Sequence, residues 1–213
     1  EQHQILKQEM RFADIPYVLI GGQQFFDRRE VKDAIAYLRF IVNPFDEVNL
    51  LRILNYPRRG IGRTTADLLI RTSISSREPL WKVIRCASTI GIINSTAAVA
   101  LEKFVTLIEE HKRSLHGGGR LAAAARQLFA AIGFEDELRR EPDSREKIER
   151  RIENLHEVIN ALATYEGRNG KPTLSGFLEK VALLDRDEPG SDSKEKKLAE
   201  DAEVLMSLHS RKG

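Results

Sequence analysis

Two short apolar runs bracket this chain, YVLIGG at 17–22 and VLMSLH at 204–209, and almost everything between them is helical in period. A lone strand cannot satisfy its backbone groups, so each run needs a sheet partner. Strands this far apart can still be neighbours in one sheet if the intervening helices form an insert. The expected fold class is therefore mainly α: a helical domain inserted into a partial α/β domain, with two short strands drawn from the chain ends.

The helical segments are readable one by one. Residues 2–12 place Ile5, Leu6, Met10 and Phe12 on one face. After the glycine turn, RREVKDAIAYLRFIVN carries Val31, Ala34, Ile35, Leu38 and Ile41 at helical spacing, with Asp27 as the expected cap and Asn43-Pro44 as the stop. DEVNLLRIL, TADLLIRTS, PLWKVIRCA, STAAVALEKFVTLIEEHKRSL, GRLAAAARQLFAAI, DSREKIERRIENLHEVINALATYE and TLSGFLEKVALL follow. Gly- or Pro-containing breaks separate the later ones, such as HGGGR and EGRNGKP. The polar stretch DRDEPGSDSKEKKLAEDAE reads as a linker. Because the chain opens inside a helical pattern and stops after a strand-like run, an excised fragment is expected.

Composition narrows the partners. With 41% apolar and 31% charged residues, the 213-residue chain has the balance of a globular protein. No uninterrupted apolar stretch reaches membrane-spanning length, and no signal peptide is visible. A single cysteine, Cys86, forms no internal disulfide and fits a reducing, cytoplasmic location. Net charge is only +2, so any nucleic-acid binding has to come from a local patch.

One such patch is NYPRRGIGRTT, residues 55–65. Pro57 stops one helix, Gly60-Ile61-Gly62 permits a tight turn, and a second helix opens behind it. A helix entrance exposes backbone N–H groups and the positive end of the dipole, which together suit a phosphate. Arg58, Arg59 and Arg63 add charge that contacts any sequence alike, and Thr64 and Thr65 can cap the helix or donate to phosphate. A capped turn with solvated arginines explains the same residues.

Other candidates are weaker. The glycines of LHGGGRLAA do not make G-x-x-x-x-G-K-[ST], a pattern absent from the whole chain. His111 and His116 lack the companions of a metal site, so none is expected. His3 and His156 read as structural or solvated, whereas His209 ends the final strand-like run, where α/β sheets place functional residues. Glu109-Glu110, Glu135-Asp136-Glu137 and Glu200-Asp201 read as solvated faces. Phe25 and Phe26 could stack on a base, though packing is the commoner role, and Trp81, Phe104 and Phe129 read as core. No catalytic constellation emerges.

Three segments in order, IPYVLIGGQQFFDRREVKDAIAYLRFIVNPFDEVNLLRILNYPRRGIG, RIENLHEVI and VLMSLHSRKG, give the chain a resemblance to the UvrD/Rep/PcrA group of superfamily 1A DNA helicases. The resemblance implies that residues 1–44 and 191–213 belong to the second RecA-like domain, the latter as a linker and return strand reaching the start of motif V. Residues 45–190 would be the helical accessory (2B) domain. In this family the intact protein hydrolyses ATP with magnesium and moves 3′ to 5′ along single-stranded DNA, while the accessory domain touches the duplex ahead. Gly60, Ile61, Gly62 and Thr65 match its duplex-contacting hairpin. Gly21, Gly22, Gln24 and Phe25 match a segment beside the single-stranded track, and His209, Ser210, Lys212 and Gly213 match motif V. Gln24 and Arg211 depart from the family pattern.

The chain has no Walker lysine and no Walker carboxylate pair, so no cofactor and no ATP hydrolysis are expected of it alone. Those would belong to a longer parent, along with the remaining helicase domains as partners. The alternative reading is a helical protein-interaction or autoinhibitory module, presented by the helix SREKIERRIENLHEVINALATYE, without direct DNA binding.

Overall fold

The computed structural model describes residues 25–87, 93–116 and 120–186. Among them lie nine helices: α1 (Arg29–Val42), α2 (Glu47–Ile53), α3 (Arg63–Ser76), α4 (Leu80–Arg85), α5 (Ser95–His116), α6 (Leu121–Ala131), α7 (Phe134–Arg140), α8 (Arg145–Arg168) and α9 (Leu174–Arg186). The described part is thus mainly helical, as expected. Both strand-like runs and the helix expected at 2–12 lie outside the described residues. Residues up to Leu178 form one compact unit, and Glu179–Arg186 begin a second.

At the centre of the first unit is α1. Val31, Ala34, Ala36, Tyr37, Leu38, Phe40 and Ile41 are all essentially inaccessible, so this helix is covered on nearly every side. It packs against α2, α5 and α8. The boundary expected at residue 44 therefore falls between two helices in direct contact. Phe40 meets Trp81 edge-on at 5.0 Å, and Trp81 meets Phe104 at 6.1 Å, which ties α1, α4 and α5 together. A second aromatic chain, Tyr56–Phe134–Phe129, joins the end of α2 to α7 and α6 at 5.5 and 5.8 Å.

Some helix N-termini carry a side-chain cap, and the one expected at Asp27 does not form. Asp46 caps α2 by accepting from the Asn49 amide, and Ser144 caps α8 by accepting from Lys147. Asp27 does not cap α1. Arg28 occupies that position, and the Asp27 carboxylate instead takes the Lys32 ammonium at 2.7 Å. Gly176 lets α9 approach α8: a Cβ there would clash with the Tyr165 hydroxyl, whose ring stacks edge-on with Phe177 at 5.7 Å.

A buried ionic cluster explains the Arg-Ile-Glu-Asn-Leu segment. Ile152 and Leu155 enter the core, while Arg151 and Asn154 both bond the buried Glu30 of α1, at 3.2 and 2.6 Å. Arg151 also pairs with Glu141 and, at 3.3 Å, with Asp143. On α1, Asp33 receives Arg52 at 2.7 Å. Burial pushes the Asp33 carboxyl up, against the lowering influence of Arg52. Burial also opposes charge on Glu141, but the hydrogen bond and charge of Arg151, with Arg29 and Tyr56, hold that carboxyl below its usual range.

Candidate nucleic-acid interface

Between α2 and α3 the chain makes a tight corner whose inner side is tied by hydrogen bonds. The Asn55 side-chain oxygen accepts from the amides of Arg59 (2.9 Å) and Ile61 (3.1 Å), drawing the turn closed. Gly60 takes φ +81°, a conformation that suits glycine, and Ile61 is driven into the core at 2% exposure.

Arg59 points inward. Its guanidinium donates to the carbonyls of Ile53 and Pro57, both at 3.0 Å, and to the Tyr37 hydroxyl. It lies 5.1 Å from the ring centroid of Phe104 and 5.8 Å from that of Tyr37. Tyr37 in turn donates to the Tyr56 carbonyl at 2.6 Å, and burial, outweighing the Arg59 charge, pushes its hydroxyl up to about 12. The expectation that Arg59 reaches a phosphate through its side chain meets a different arrangement: both Nη1 donors and one Nη2 donor of its fork are directed at the protein's own carbonyls and hydroxyl.

The outer side of the corner is different. Gly62 occupies the N-cap of α3 and supplies no side-chain cap, and the first turn holds no acid. Neither Thr64 nor Thr65 caps the helix. Among the described residues, no hydrogen bond reaches the amides of Gly62, Arg63, Thr64 or Thr65. Arg63 and Thr64 are exposed and Thr65 is half-buried. A cation in the first turn sits against the positive end of the helix dipole, which costs a few tenths of a kcal/mol to about 1 kcal/mol. The uncapped entrance and the misplaced cation are both unfavourable to the isolated fold, and an anion bound there relieves both. Arg58 is also at the surface, 82% exposed, with Nε 3.3 Å from Glu137.

The remaining expected site residues divide simply. Gly21, Gly22, Gln24, His209, Ser210 and Lys212 lie outside the described residues. Phe25 is 2% exposed and stands edge-on to Phe26 at 5.5 Å, so it offers no open ring face to a base. His111 and His116 each bond a carbonyl one turn back, those of Leu107 and Lys112. His156 pairs with Glu135 at 2.8 Å. Among the described residues no three His, Cys, Asp or Glu side chains gather to hold a metal ion, and no helix is long and apolar enough to cross a membrane. Glu137, expected on a solvated face, is instead buried, its side chain 4% exposed.

Sequence reasoning missed three features of this corner: the closure by Asn55, the inward turn of Arg59 and the buried Glu137. For Asn55 a signal existed, since an Asn ahead of a proline-glycine turn commonly bonds backbone amides downstream.

Comparison with known proteins shows the family. Residues 1–213 match the family model described as UvrD-like helicase C-terminal domain. The chain is 27% identical over 212 residues to ATP-dependent DNA helicase PcrA of Bacillus subtilis, a match covering 100% of this chain and 28% of that protein. It is 33% identical over 215 residues to DNA helicase II of Escherichia coli, covering 100% of this chain and 29% of that protein. DNA helicase II of Salmonella typhimurium is similar at the same identity over 216 residues. The chain thus spans less than a third of the length of these curated relatives. With its whole length covered, the chain belongs to the UvrD-like helicase C-terminal domain family.

Proposed function

We propose that this chain is the accessory-domain region of an ATP-dependent 3′–5′ DNA helicase, and that it grips duplex DNA through the phosphate backbone at the α2–α3 corner. The observation that carries the reading is the contrast between the two sides of that corner. On the inner side Asn55 takes the Arg59 and Ile61 amides, and Ile53, Pro57 and Tyr37 take the Arg59 fork, while the amides at the start of α3 and the Arg63 guanidinium face outward without a partner among the described residues. Gly60, Ile61 and Gly62 shape the turn, the Gly62–Thr65 amides and the Thr64 and Thr65 hydroxyls receive a phosphate oxygen, and Arg58 and Arg63 supply charge. Arg59 acts by positioning.

In this proposal residues 1–44 and 191–213 belong to the second RecA-like domain, and Gly21, Gly22, Gln24, His209, Ser210 and Lys212 follow the single-stranded track in the parent. ATP and magnesium would be bound by parts of that parent beyond this chain. The residues here do not fit either: the chain contains no Walker sequence, and its described residues bring no metal-binding group together. The fragment alone is accordingly proposed to be without ATPase activity, and to work in the cytoplasm beside the rest of its own helicase.

Fluorescence anisotropy with a labelled duplex tests the proposal. Arg63→Ala should weaken binding on all sequences by a similar factor, because phosphate contacts carry no sequence information. An unchanged affinity would count against the corner as the contact.

A second reading, docking of a protein partner, is favoured by one observation. Phe45, in the turn before α2, and Val48 and Leu51 on α2 are 72%, 80% and 40% exposed. The α8 face suggested by the sequence is less suited, since its apolar residues Ile152, Leu155, Val158, Ile159 and Leu162 are buried. Val48→Glu would disrupt partner capture without changing duplex affinity under this reading.

A further inference from the structure

Beside the corner, on α7, Glu137 is a buried carboxylate shared by two exposed arginines. Arg58 Nε lies 3.3 Å from Oε1, and Arg140 Nη1 lies 3.8 Å from Oε2. The Glu137 side chain is 4% exposed, while those of Arg58 and Arg140 are 82% and 73% exposed. A buried carboxylate needs neutralising, and one guanidinium is enough for that. The second leaves the trio with a net positive charge at the surface. Neither arginine has another partner among the described residues, so most of their donors face solvent. Elsewhere on the same helix the charge is spent internally: Arg139 pairs with Glu135 at 3.5 Å.

The pair is also held firmly in place relative to the corner. Phe134, at the start of α7, is inaccessible and stacks edge-on against Tyr56, two residues before Arg58. Tyr56 is itself bonded through its carbonyl to Tyr37, the residue that anchors Arg59. The loop and α7 are therefore joined by packing as well as by charge.

We propose that Arg58 and Arg140, splayed on the two oxygens of Glu137, form a second phosphate contact on the same duplex, extending the interface from the α2–α3 corner onto α7. Glu137 is a positioning residue: it aims both guanidinium groups and touches no DNA. This inference rests on the duplex-binding reading of the corner.

Duplex affinity of the 213-residue chain would be measured by anisotropy from about 50 to about 200 mM salt, for wild type, Arg140→Gln, Arg139→Gln and Arg63→Ala. Loss of one phosphate contact lowers the salt slope by about 0.9, so the fall in affinity over that range should be roughly 3.5-fold smaller for Arg140→Gln than for wild type. Arg139→Gln, equally surface-placed but paired to Glu135, should keep the wild-type slope. If Arg140→Gln keeps the wild-type slope while Arg63→Ala lowers it, the α7 contact is overturned and the corner stands. Equal effects of Arg139→Gln and Arg140→Gln would also overturn it, because they would indicate diffuse charge rather than a site. Absence of wild-type binding would overturn the corner and this extension together.

Discussion

Replacing Arg59 with alanine separates a phosphate ligand from an internal brace. The substitution removes a guanidinium that donates to Ile53 O, Pro57 O and Tyr37 Oη and lies over the Tyr37 and Phe104 rings. The Ile53 carbonyl keeps the Tyr56 amide at 3.2 Å, and Tyr37 keeps its bond to the Tyr56 carbonyl, but the Pro57 carbonyl loses the only described donor it has. A hydrogen bond from a charged donor contributes about 1.5–3 kcal/mol, and cation–π contact adds about 0.5–2 kcal/mol, with little additivity within one network. The expected cost is about 2–4 kcal/mol of stability. Arg59→Lys should recover only part of it, because an ammonium cannot span the three acceptors that a planar fork reaches. Trp81 is the only tryptophan and is buried beside Phe104, so its fluorescence reports denaturant unfolding directly. A midpoint shift at constant m-value is the predicted result. The reasoning would be refuted by Arg59→Ala unfolding within about 0.5 kcal/mol of wild type while losing duplex affinity, the behaviour of a solvent-facing phosphate ligand.

Three further outcomes follow from the same geometry. Gly60→Ala should cost about 1–2 kcal/mol in denaturant unfolding, because φ +81° is strained for a residue with Cβ, whereas Gly62→Ala at φ −73° in open space should cost much less. Gly176→Ala should destabilise by about 1–3 kcal/mol, since its Cβ would meet the Tyr165 hydroxyl and force α8 and α9 apart. The Glu141 carboxyl is held below its usual range in the folded protein, so its contribution is present above the unfolded pKa of about 4.3 and is lost as pH falls through the lower folded value. Glu141→Gln should lack that loss, so the stability difference between wild type and variant should shrink on acidification below about pH 4.5. Asp33, whose carboxyl is raised, acts in the opposite sense in both proteins and cancels in the difference.

Helix after helix was legible in the pattern because apolar spacing and breakers agree locally, as in α1 and α8. Asp27 was of the right type for a cap but bonded Lys32 instead, whereas Ser144, which was not singled out from the sequence, caps α8. What the pattern does not encode is which polar residues turn inward. Glu30 and Asp33 lie beside the apolar stripe of α1, and only the tertiary arrival of Arg151, Asn154 and Arg52 makes their burial tolerable. Likewise nothing in Arg58-Arg59-Gly60 states that the second arginine folds under the corner, since that depends on Tyr37 and Phe104 from two other helices. The glutamates before α8 suggested a solvated face, yet Phe134 and Leu138, four residues apart and both inaccessible, roll Glu137 inward.

The most direct test of the central claim is the salt dependence of duplex binding by the unmodified chain. Arg63 and the net positive charge of the Arg58–Glu137–Arg140 trio, each neutralising one phosphate, predict a slope of log affinity against log salt of about −1.8, the same for unrelated sequences. A slope near zero, or no binding to duplex at low salt, would contradict the account.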